Sequence, residues 1–386
     1  MKTLRKLGTG AKVTVAMSLA HFVNDASFTI IPPVLPILIE EFRVGYGALG
    51  AVITASVLTM TSMQAVTGYI ADRCNRITFL LVGLIILGAG TVLIGFSTNY
   101  IQLLVFGCVM GIGGSVYHPI GYSLLSDAFE FGNRGKALGL GSAAGDLAIP
   151  VVFATSGFLT LFLGWRSIFT LWGLVIITVA VTIRFVTSEP GKKISRSRIT
   201  DSSTKETVVA LIPLIVVMGL AAACYRIVTS FTTTYLSTFG LSIGSANAVT
   251  ALMMTTGAIG SVIGGTLTDK LGAKKTISIE MFTLGVLSVI LAYVSNRYLL
   301  YIIIALMGFA LLGVWPSFYS VIARRSNLGS RAFIYGLLFA IARSFGSFFP
   351  FISGFYADVF GLRVIYILVG VLSLLAAFTV YFTFKR

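Results

Sequence analysis

Acidic and basic side chains occur inside apolar segments of this sequence, where they could exchange protons or hold a charged ligand. Asp25, Asp146, Arg226 and Arg343 each lie within a mostly apolar segment long enough to cross a membrane. A charge there costs about 2.5 to 3.5 kcal/mol if it faces lipid, so each should face a protein interior or a watery cavity. These four residues are therefore the first candidates for function.

One group of residues is suited to proton exchange. His21, Asn24 and Asp25 are spaced i, i+3 and i+4, which places them on one face of a helix. Burial and neighbouring charges decide how firmly a carboxylate or an imidazole holds its proton. We predict that Asp25 carries a coupling proton and that His21, His118 and Asp146 tune or relay it. The alternatives are an Asp25 that only holds helices together and a His118 that only packs.

The two arginines are suited to an anionic ligand. A guanidinium group binds phosphate, phosphonate or carboxylate through two parallel hydrogen bonds. We predict that Arg226 and Arg343 bind the substrate; the alternative is that Asp25 and Asp146 occupy both of them. Further residues are predicted to line the same cavity, with plain packing as the alternative for the aromatic ones: Asn24, Tyr117, Tyr225, Trp315, Phe318 and Tyr319.

Membrane-spanning helices must position these residues. The 386 residues are 56% hydrophobic and 11% charged, whereas an ordinary soluble domain is about 25% charged. Residues 77–126 and 227–268 contain no Asp, Glu, Lys or Arg. Because one span needs about 20 mostly apolar residues, each of these runs holds two spans. The composition excludes a soluble globular protein.

Breaking the apolar segments at charge clusters and turn residues predicts an all-α membrane protein of twelve helices. The helices are predicted at 13–39, 45–70, 77–97, 100–126, 134–163, 165–187, 207–236, 243–268, 275–295, 298–323, 331–359 and 363–384. The polar segment 188–206 is predicted to be a cytoplasmic linker between a six-helix bundle at 1–187 and another at 207–386. The basic N-terminus runs directly into a full-length span, so we expect no cleaved signal peptide.

The formal charge of +15 is explained by the sidedness of the loops. With a cytoplasmic N-terminus, 22 of the 28 Lys and Arg residues fall in cytoplasmic segments. The positive-inside rule then predicts a multi-pass protein of the cell (inner) membrane with both termini in the cytoplasm. We expect the lipid bilayer and a small molecule as partners, and no nucleic acid. The three cysteines are too few and too scattered for a disulfide framework or a metal site, and we expect no cofactor other than the proton.

An internal repeat relates the two predicted bundles. The segment GYIADR at 68–73 has a counterpart 197 residues later, GTLTDK at 265–270. The same offset relates Pro119 to Pro316, and it relates Asp146 to Arg343. Two halves with the same orientation are expected to form pseudo-symmetric bundles that rock about a site near the bilayer midplane, and the matching prolines are expected to bend their helices.

The repeated loop resembles the signature of the major facilitator superfamily, Gly-x-x-x-Asp-Arg/Lys-x-Gly-Arg/Lys-Arg/Lys. The second half keeps this pattern with Ala273 inserted, whereas the first half has Asn75 in place of the glycine and Ile77 in place of a basic residue. The resemblance implies the major facilitator fold, a transporter that is not an enzyme, and a monomer. It also implies a cytoplasmic gate formed by Gly68, Asp72, Arg73, Arg76, Gly265, Asp269, Lys270 and Lys274.

A narrower resemblance concerns the segments HFVND at 21–25 and GIGGSVYHP at 111–119, which are similar to those of fosmidomycin-resistance-type exporters. It implies proton-driven efflux of a drug or another small, anionic organic compound by alternating access. The segment 145–150 departs from the drug-antiporter pattern, which leaves the direction of transport open. The alternatives are a proton symporter that imports a sugar, an organic acid or a phosphorylated metabolite, and a transporter-like membrane sensor without net transport.

Overall fold

The computed structural model describes residues 8–129, 134–187, 209–326 and 331–383. Every regular element within these ranges is a helix. Eleven stretches of the described chain are long and apolar enough to cross a membrane. The prediction of an all-α, multi-pass membrane protein is confirmed.

Helices are numbered in chain order. The first part of the chain contains α1 (Thr9–Thr29), α2 (Leu35–Phe42), α3 (Tyr46–Ala71), α4 (Arg76–Gly95), α5 (Tyr100–Gly114), α6 (Tyr117–Asp127) and α7 (Arg134–Val186). The later part contains α8 (Ile212–Ser237), α9 (Ile243–Leu271), α10 (Ala273–Tyr293), α11 (Arg297–Gly313), α12 (Trp315–Arg325), α13 (Arg331–Ser347), α14 (Phe349–Phe360) and α15 (Arg363–Thr383).

The count of eleven spans agrees closely with the predicted twelve. Helix α7 contains the longest stretch, with 51 residues at 136–186. A single crossing takes about 20 residues, so this stretch provides two spans. Gly164 interrupts it with φ of 72° and ψ of 162°, a backbone conformation that favours glycine. The predicted helices at 134–163 and 165–187 therefore meet at Gly164 without an intervening loop.

Prolines divide helices that the sequence analysis treated as continuous. The predicted helix 13–39 is interrupted by a 3₁₀ turn at Pro32–Val34, and the predicted helix 100–126 is interrupted between Gly114 and Tyr117. Pro119 has no N–H to donate to the carbonyl of Ser115, four residues earlier. The Thr67 hydroxyl of α3 donates to that carbonyl at 3.1 Å. A neighbouring helix therefore satisfies the acceptor that the proline leaves free.

The chain folds into two compact units: the first is Met1–Val44 with Val52–Ile194, and the second is Gly45–Ala51 with Ser195–Arg386. Residues 45–51 belong to the second unit because the Asp358 carboxylate accepts hydrogen bonds from the backbone N–H groups of Tyr46, at 2.6 Å, and Gly47, at 2.9 Å. The predicted linker 188–206 lies outside the described residues, and the bundle boundaries stay a prediction.

Each unit has a core of closely packed helices. In the first, α1 and α4 pack against α7; in the second, α9 packs on α11, and α10 packs on α15. A methyl group at Gly88 would lie 2.8 Å from the Gly173 carbonyl oxygen, and one at Gly285 would lie 3.2 Å from that of Gly370. Both members of the second pair follow their counterparts by 197 residues. The repeat seen in the sequence therefore recurs as the same helix-to-helix approach in each unit.

Candidate functional site

The core of the candidate site in the first unit is the imidazole of His21, on the buried face of α1. Its Nδ1 lies 2.8 Å from the carbonyl oxygen of Gly141 in α7. A carbonyl oxygen only accepts hydrogen bonds, so Nδ1 must carry a proton. The Nε2 atom of His21 is left to act as an acceptor when the ring is neutral and as a donor when the ring is charged.

That second nitrogen faces a carboxylate one helical turn further along α1. His21 Nε2 lies 3.4 Å from Asp25 Oδ2, and the Asn24 side-chain amide donates to Asp25 Oδ1 at 3.1 Å. A neutral Nε2 and an ionised carboxylate are both acceptors and repel each other. One proton shared between them turns the contact into a hydrogen bond, with either an imidazolium beside a carboxylate or a neutral imidazole beside a carboxylic acid.

Aromatic rings from α6 surround this pair. The ring of His21 stacks on Tyr117, with centroids 4.5 Å apart, and that of His118 stacks on Tyr122 at 5.9 Å. The titratable atoms of His21, Asp25 and His118 all lie within 4.8 Å of one another. His21 is buried, whereas Asp25 and His118 are half-buried. The cluster therefore reaches from the protein interior to an accessible surface.

The predicted proton-coupling residues are mostly gathered here. His21, Asp25 and His118 are brought together, and Asp146 lies exposed on α7. Its neighbour Gly145 packs against the ring of His21. An exposed carboxylate in a span must face a watery cavity to avoid a large cost in lipid.

Two predicted substrate ligands of the first unit lie in its interior. Asn24 and Tyr117 have no exposed surface. The side-chain oxygen of Asn24 and the hydroxyl of Tyr117 have no hydrogen-bond partner among the described residues. Tyr117 stacks on His21 and Asn24 donates to Asp25, so both residues help to position the pair of His21 and Asp25. Their assignment to substrate binding stays a prediction.

The predicted anion ligands lie in the second unit. Arg226 of α8 is half-buried, and its guanidinium carbon is 5.9 Å from the ring centroid of Tyr225. Arg343 of α13 is exposed. Helices α8 and α13 pack closely, since a methyl group at Gly346 would fall 2.9 Å from the Cβ of Ala222. The arginines therefore flank one helix contact, each within about one turn of it.

The predicted aromatic residues form a cluster in the second unit. Trp315 and Tyr319 of α12 both contact Phe339 of α13, with ring centroids 5.9 Å and 5.2 Å apart. Tyr319 is exposed and Trp315 is half-buried, whereas Phe318 is fully buried. Of the three, Trp315 and Tyr319 can reach a ligand in this conformation and Phe318 cannot. The alternative, in which Asp25 pairs with Arg226 and Asp146 with Arg343, stays open.

The predicted gate loop of the first unit contains a buried arginine that forms an ion pair with a half-buried aspartate of α6. Arg76, at the start of α4, is 4% exposed. Its Nη1 donates to Asp127 Oδ2 at 2.6 Å and to Ser123 Oγ at 2.7 Å. Arg73 is exposed, and its guanidinium carbon lies 3.4 Å from the ring centroid of Tyr69. Arg76 therefore joins the ends of α4 and α6, whereas Arg73 lies on the surface.

The corresponding loop of the second unit is built differently. Asp269 and Lys270 are exposed, and the Lys274 ammonium lies 5.5 Å from the ring centroid of Tyr381. Ala273 and Arg324 occupy the repeat positions of Arg76 and Asp127, so the ion pair has no equivalent. The two motif glycines are equivalent in packing. A methyl group on Gly68 would lie 3.6 Å from Pro119 Cβ, and one on Gly265 would lie 3.7 Å from Pro316 Cβ.

Asp127 was not predicted as the partner of Arg76. A signal for this contact exists, because residues 77–126 carry no formal charge and these two residues flank them. Two antiparallel spans within that run bring its ends to the same side of the membrane. The contact of His21 with the carbonyl of Gly141 was not predicted either, and the sequence carries no signal for it.

Comparison with known proteins identifies relatives of this chain. The family model of the Major Facilitator Superfamily matches residues 17–349 and again residues 214–386. The fosmidomycin resistance protein of Escherichia coli (strain K12) is 26% identical over 393 residues, which cover 99% of this chain and 95% of that protein. The multidrug transporter protein MdtP of Bacillus subtilis (strain 168) is 27% identical over 169 residues, covering 43% of this chain and 31% of that protein.

A solved structure shares the fold. It is the crystal structure of a bacterial homolog of the human lysosomal transporter Spinster, in an inward-facing and occupied conformation. It is similar to this chain with a TM-score of 0.84 and 20% identity, and the match covers 98% of this chain and 97% of that chain.

Proposed function

Because the chain belongs to the major facilitator superfamily, we propose that it is a secondary transporter that exports a small anionic organic compound in exchange for protons. Efflux is supported by the relatives named for fosmidomycin resistance and multidrug transport. We propose the cell (inner) membrane as its location, with both termini in the cytoplasm, because most Lys and Arg then lie on the cytoplasmic side.

The contact between His21 and Asp25 carries the proposal of proton coupling. The hydrogen bond to Gly141 places a proton on Nδ1, and the 3.4 Å approach of Nε2 to the carboxylate offers a position where both groups can hold one further proton. Loss of that proton leaves two acceptors face to face, which favours a rearrangement of α1 relative to α7. Protonation of one pair can thus be converted into a change of conformation.

His118 offers a route for the proton. Its titratable nitrogen lies within 4.8 Å of those of His21 and Asp25, and its ring is half-buried. A proton can pass from an accessible imidazole to the interior pair over this distance with a small movement of either ring. Asp146, exposed on α7, adds negative charge near the same cluster, which favours the arrival of protons.

The substrate side of the proposal depends on Arg226 and Arg343. Both are charged groups within apolar spans, and neither is fully buried. Their guanidinium groups match the geometry of phosphonate, phosphate and carboxylate. Tyr319 and Trp315 add aromatic surface that an organic body can contact. We propose alternating access, in which the substrate and proton sites open to one side of the membrane at a time.

The test uses the full chain in proteoliposomes loaded with a pH-sensitive dye. Phosphonates, sugar phosphates, carboxylates and uncharged drugs are added one at a time, with wild type, Asp25→Asn and the control Glu40→Gln, which changes an exposed carboxylate outside the cluster. The expected result is proton movement opposite to an anionic substrate, lost in Asp25→Asn and kept in Glu40→Gln. Asp25→Asn should still exchange labelled substrate without a pH gradient.

Other outcomes reject parts of the proposal. Protons that move together with the substrate would establish a symporter instead of an exporter. Full gradient-driven transport by Asp25→Asn with an unchanged pH profile would remove Asp25 from the coupling step. Absence of coupled movement for every compound would favour a uniporter or a sensor.

A further inference from the structure

Glu280 of α10 is a carboxylate buried within a candidate span of the second unit. The residue is 3% exposed. Both of its carboxylate oxygens lack a hydrogen-bond partner among the described residues. A carboxylate in such a place is an exception, because buried polar groups almost always have partners.

Two glycines on neighbouring helices form the slot that holds this side chain. A methyl group at Gly313 of α11 would lie 2.5 Å from Glu280 Oε1, and one at Gly264 of α9 would lie 2.9 Å from the same atom. Any larger residue at either position would displace the carboxylate. The side chain is therefore confined between three helices, α9, α10 and α11.

The repeat shows that packing does not require an acid there. The positions 197 residues earlier than Glu280 and Gly313 are Gly83 and Val116. A methyl group at Gly83 would overlap Val116 Cγ2, so the valine fills the slot from the opposite helix. The first unit thus packs the same contact with a plain hydrocarbon side chain. Unlike the valine, the acid in the second unit can bind and release a proton.

Charged and titratable groups on the packed elements do not compensate Glu280. None of them forms a hydrogen bond or an ion pair with it in the described part of the chain. They are Asp269 and Lys270 on α9, Lys274, Lys275 and Tyr293 on its own helix, Arg297, Tyr298 and Tyr301 on α11, Tyr319, Arg324 and Arg325 on α12, and Arg363, Tyr366 and Tyr381 on α15. An isolated ion in a dry interior is far more costly than the neutral acid.

We propose that Glu280 is a second proton-binding site, which holds a proton in this conformation and exchanges it when water enters the slot between Gly264 and Gly313. The proton neutralises the carboxylate in the closed slot. Separation of α10 from α9 and α11 admits water, which stabilises the ionised form and allows release. This site does not depend on Asp25 or on the direction of transport.

Infrared spectroscopy of the full chain in lipid tests the proposal, because a protonated carboxylic acid has a carbonyl stretching band that a carboxylate lacks. At neutral pH, wild type should show a buried-acid band that Glu280→Gln loses and Asp25→Asn retains. At alkaline pH, the wild-type band should disappear reversibly. If Asp25→Asn keeps the Glu280 band, protonation of Glu280 is independent of Asp25. The proposal for Glu280 can then hold even if the coupling role of Asp25 is rejected.

A second variant protects the test against misfolding. Glu280→Val puts into the slot the residue type that the first unit uses, so it should fold and should also lack the band. A spectrum at neutral pH that is the same in wild type, Glu280→Gln and Glu280→Val would overturn the proposal. A band that persists through alkaline pH and during substrate exchange would show a permanently held proton, which also overturns it.

Discussion

Gly145 of α7 lies directly against the imidazole of His21 on α1. A methyl group on Gly145 would fall 2.6 Å from His21 Cε1 and 2.7 Å from Nε2. Atoms of carbon and nitrogen do not approach so closely without a bond, so only glycine fits while the ring keeps its position. The position of the ring sets its distances to both Gly141 and Asp25.

Gly145→Ala should displace His21 and weaken the shared-proton contact. We expect at least a tenfold loss of proton-driven transport, together with destabilisation of about 1 to 3 kcal/mol from overpacking. The matched control is Gly139→Ala on the same helix, where a methyl group meets nothing within 4 Å. Transport assays and thermal unfolding of both variants provide the measurement. Equal transport by the two variants would contradict the role given to the ring position.

Replacing the intramembrane arginines by lysine should weaken substrate binding while keeping the charge. Arg226→Lys and Arg343→Lys each lose the planar pair of donors, so we expect about a tenfold lower affinity for the anionic substrate, or about 1.4 kcal/mol. Arg184→Ala, which removes an exposed arginine at the end of α7, should bind normally. Binding is measured by scintillation proximity with the labelled substrate. Unchanged affinity in both lysine variants would remove the basis for an anionic ligand.

Breaking the ion pair between Arg76 and Asp127 should destabilise the first unit. Removal of the carboxylate deprives the buried guanidinium of Arg76 of its ionic partner, and we expect Asp127→Asn to cost about 3 kcal/mol. Arg73→Gln, which removes an exposed cation from the same loop, should change stability by about 0.5 kcal/mol or less. Thermal unfolding in detergent measures both. The double variant Arg76→Met with Asp127→Met should be closer to wild type than Asp127→Asn; a larger loss would refute this account.

Thr67→Val should expose the cost of the carbonyl that Pro119 leaves free. The Thr67 hydroxyl of α3 donates to the Ser115 carbonyl, which lies between α5 and α6. Loss of this hydrogen bond should cost about 1 kcal/mol of stability. Thr61→Val is the control, because the Thr61 hydroxyl bonds only carbonyls of its own helix, those of Val57 and Leu58. Chemical unfolding compares the two. If both variants lose the same stability, the interhelical bond contributes nothing measurable.

Much of the fold could be predicted because membrane spans are determined mainly by features that can be read directly along the sequence. Apolar length, charge position and turn residues locate spans without reference to tertiary contacts. The boundary at Gly164 was predicted for the same reason, since a glycine followed within two residues by Arg166 marks the end of an apolar segment. At Pro119 a bend was predicted but a division of the helix was not, because a proline within an apolar run is also compatible with a bent continuous helix.

The site was less predictable because its contacts join distant residues. The spacing of His21, Asn24 and Asp25 placed them on one helix face, and the structure joins them in one network. The stack of His21 on Tyr117 depends on how α1 meets α6, which the sequence does not encode locally. Glu280 was overlooked as a buried charge because it lies near the start of a predicted helix, close to Lys274 and Lys275.

The glycine contacts that recur in both units determine the packing of the helices independently of the reactive side chains. Gly88 against Gly173 and Gly285 against Gly370 fix how closely helices approach through backbone atoms alone. Residues beside these glycines can therefore be replaced without a change in how the helices pack. After a duplication, each copy is free to specialise, and an imidazole in one copy can stand where the other carries an indole. An engineer could therefore introduce new reactive side chains into one copy at positions that do not take part in these glycine contacts. The unchanged copy would show the helix packing that the altered copy should keep.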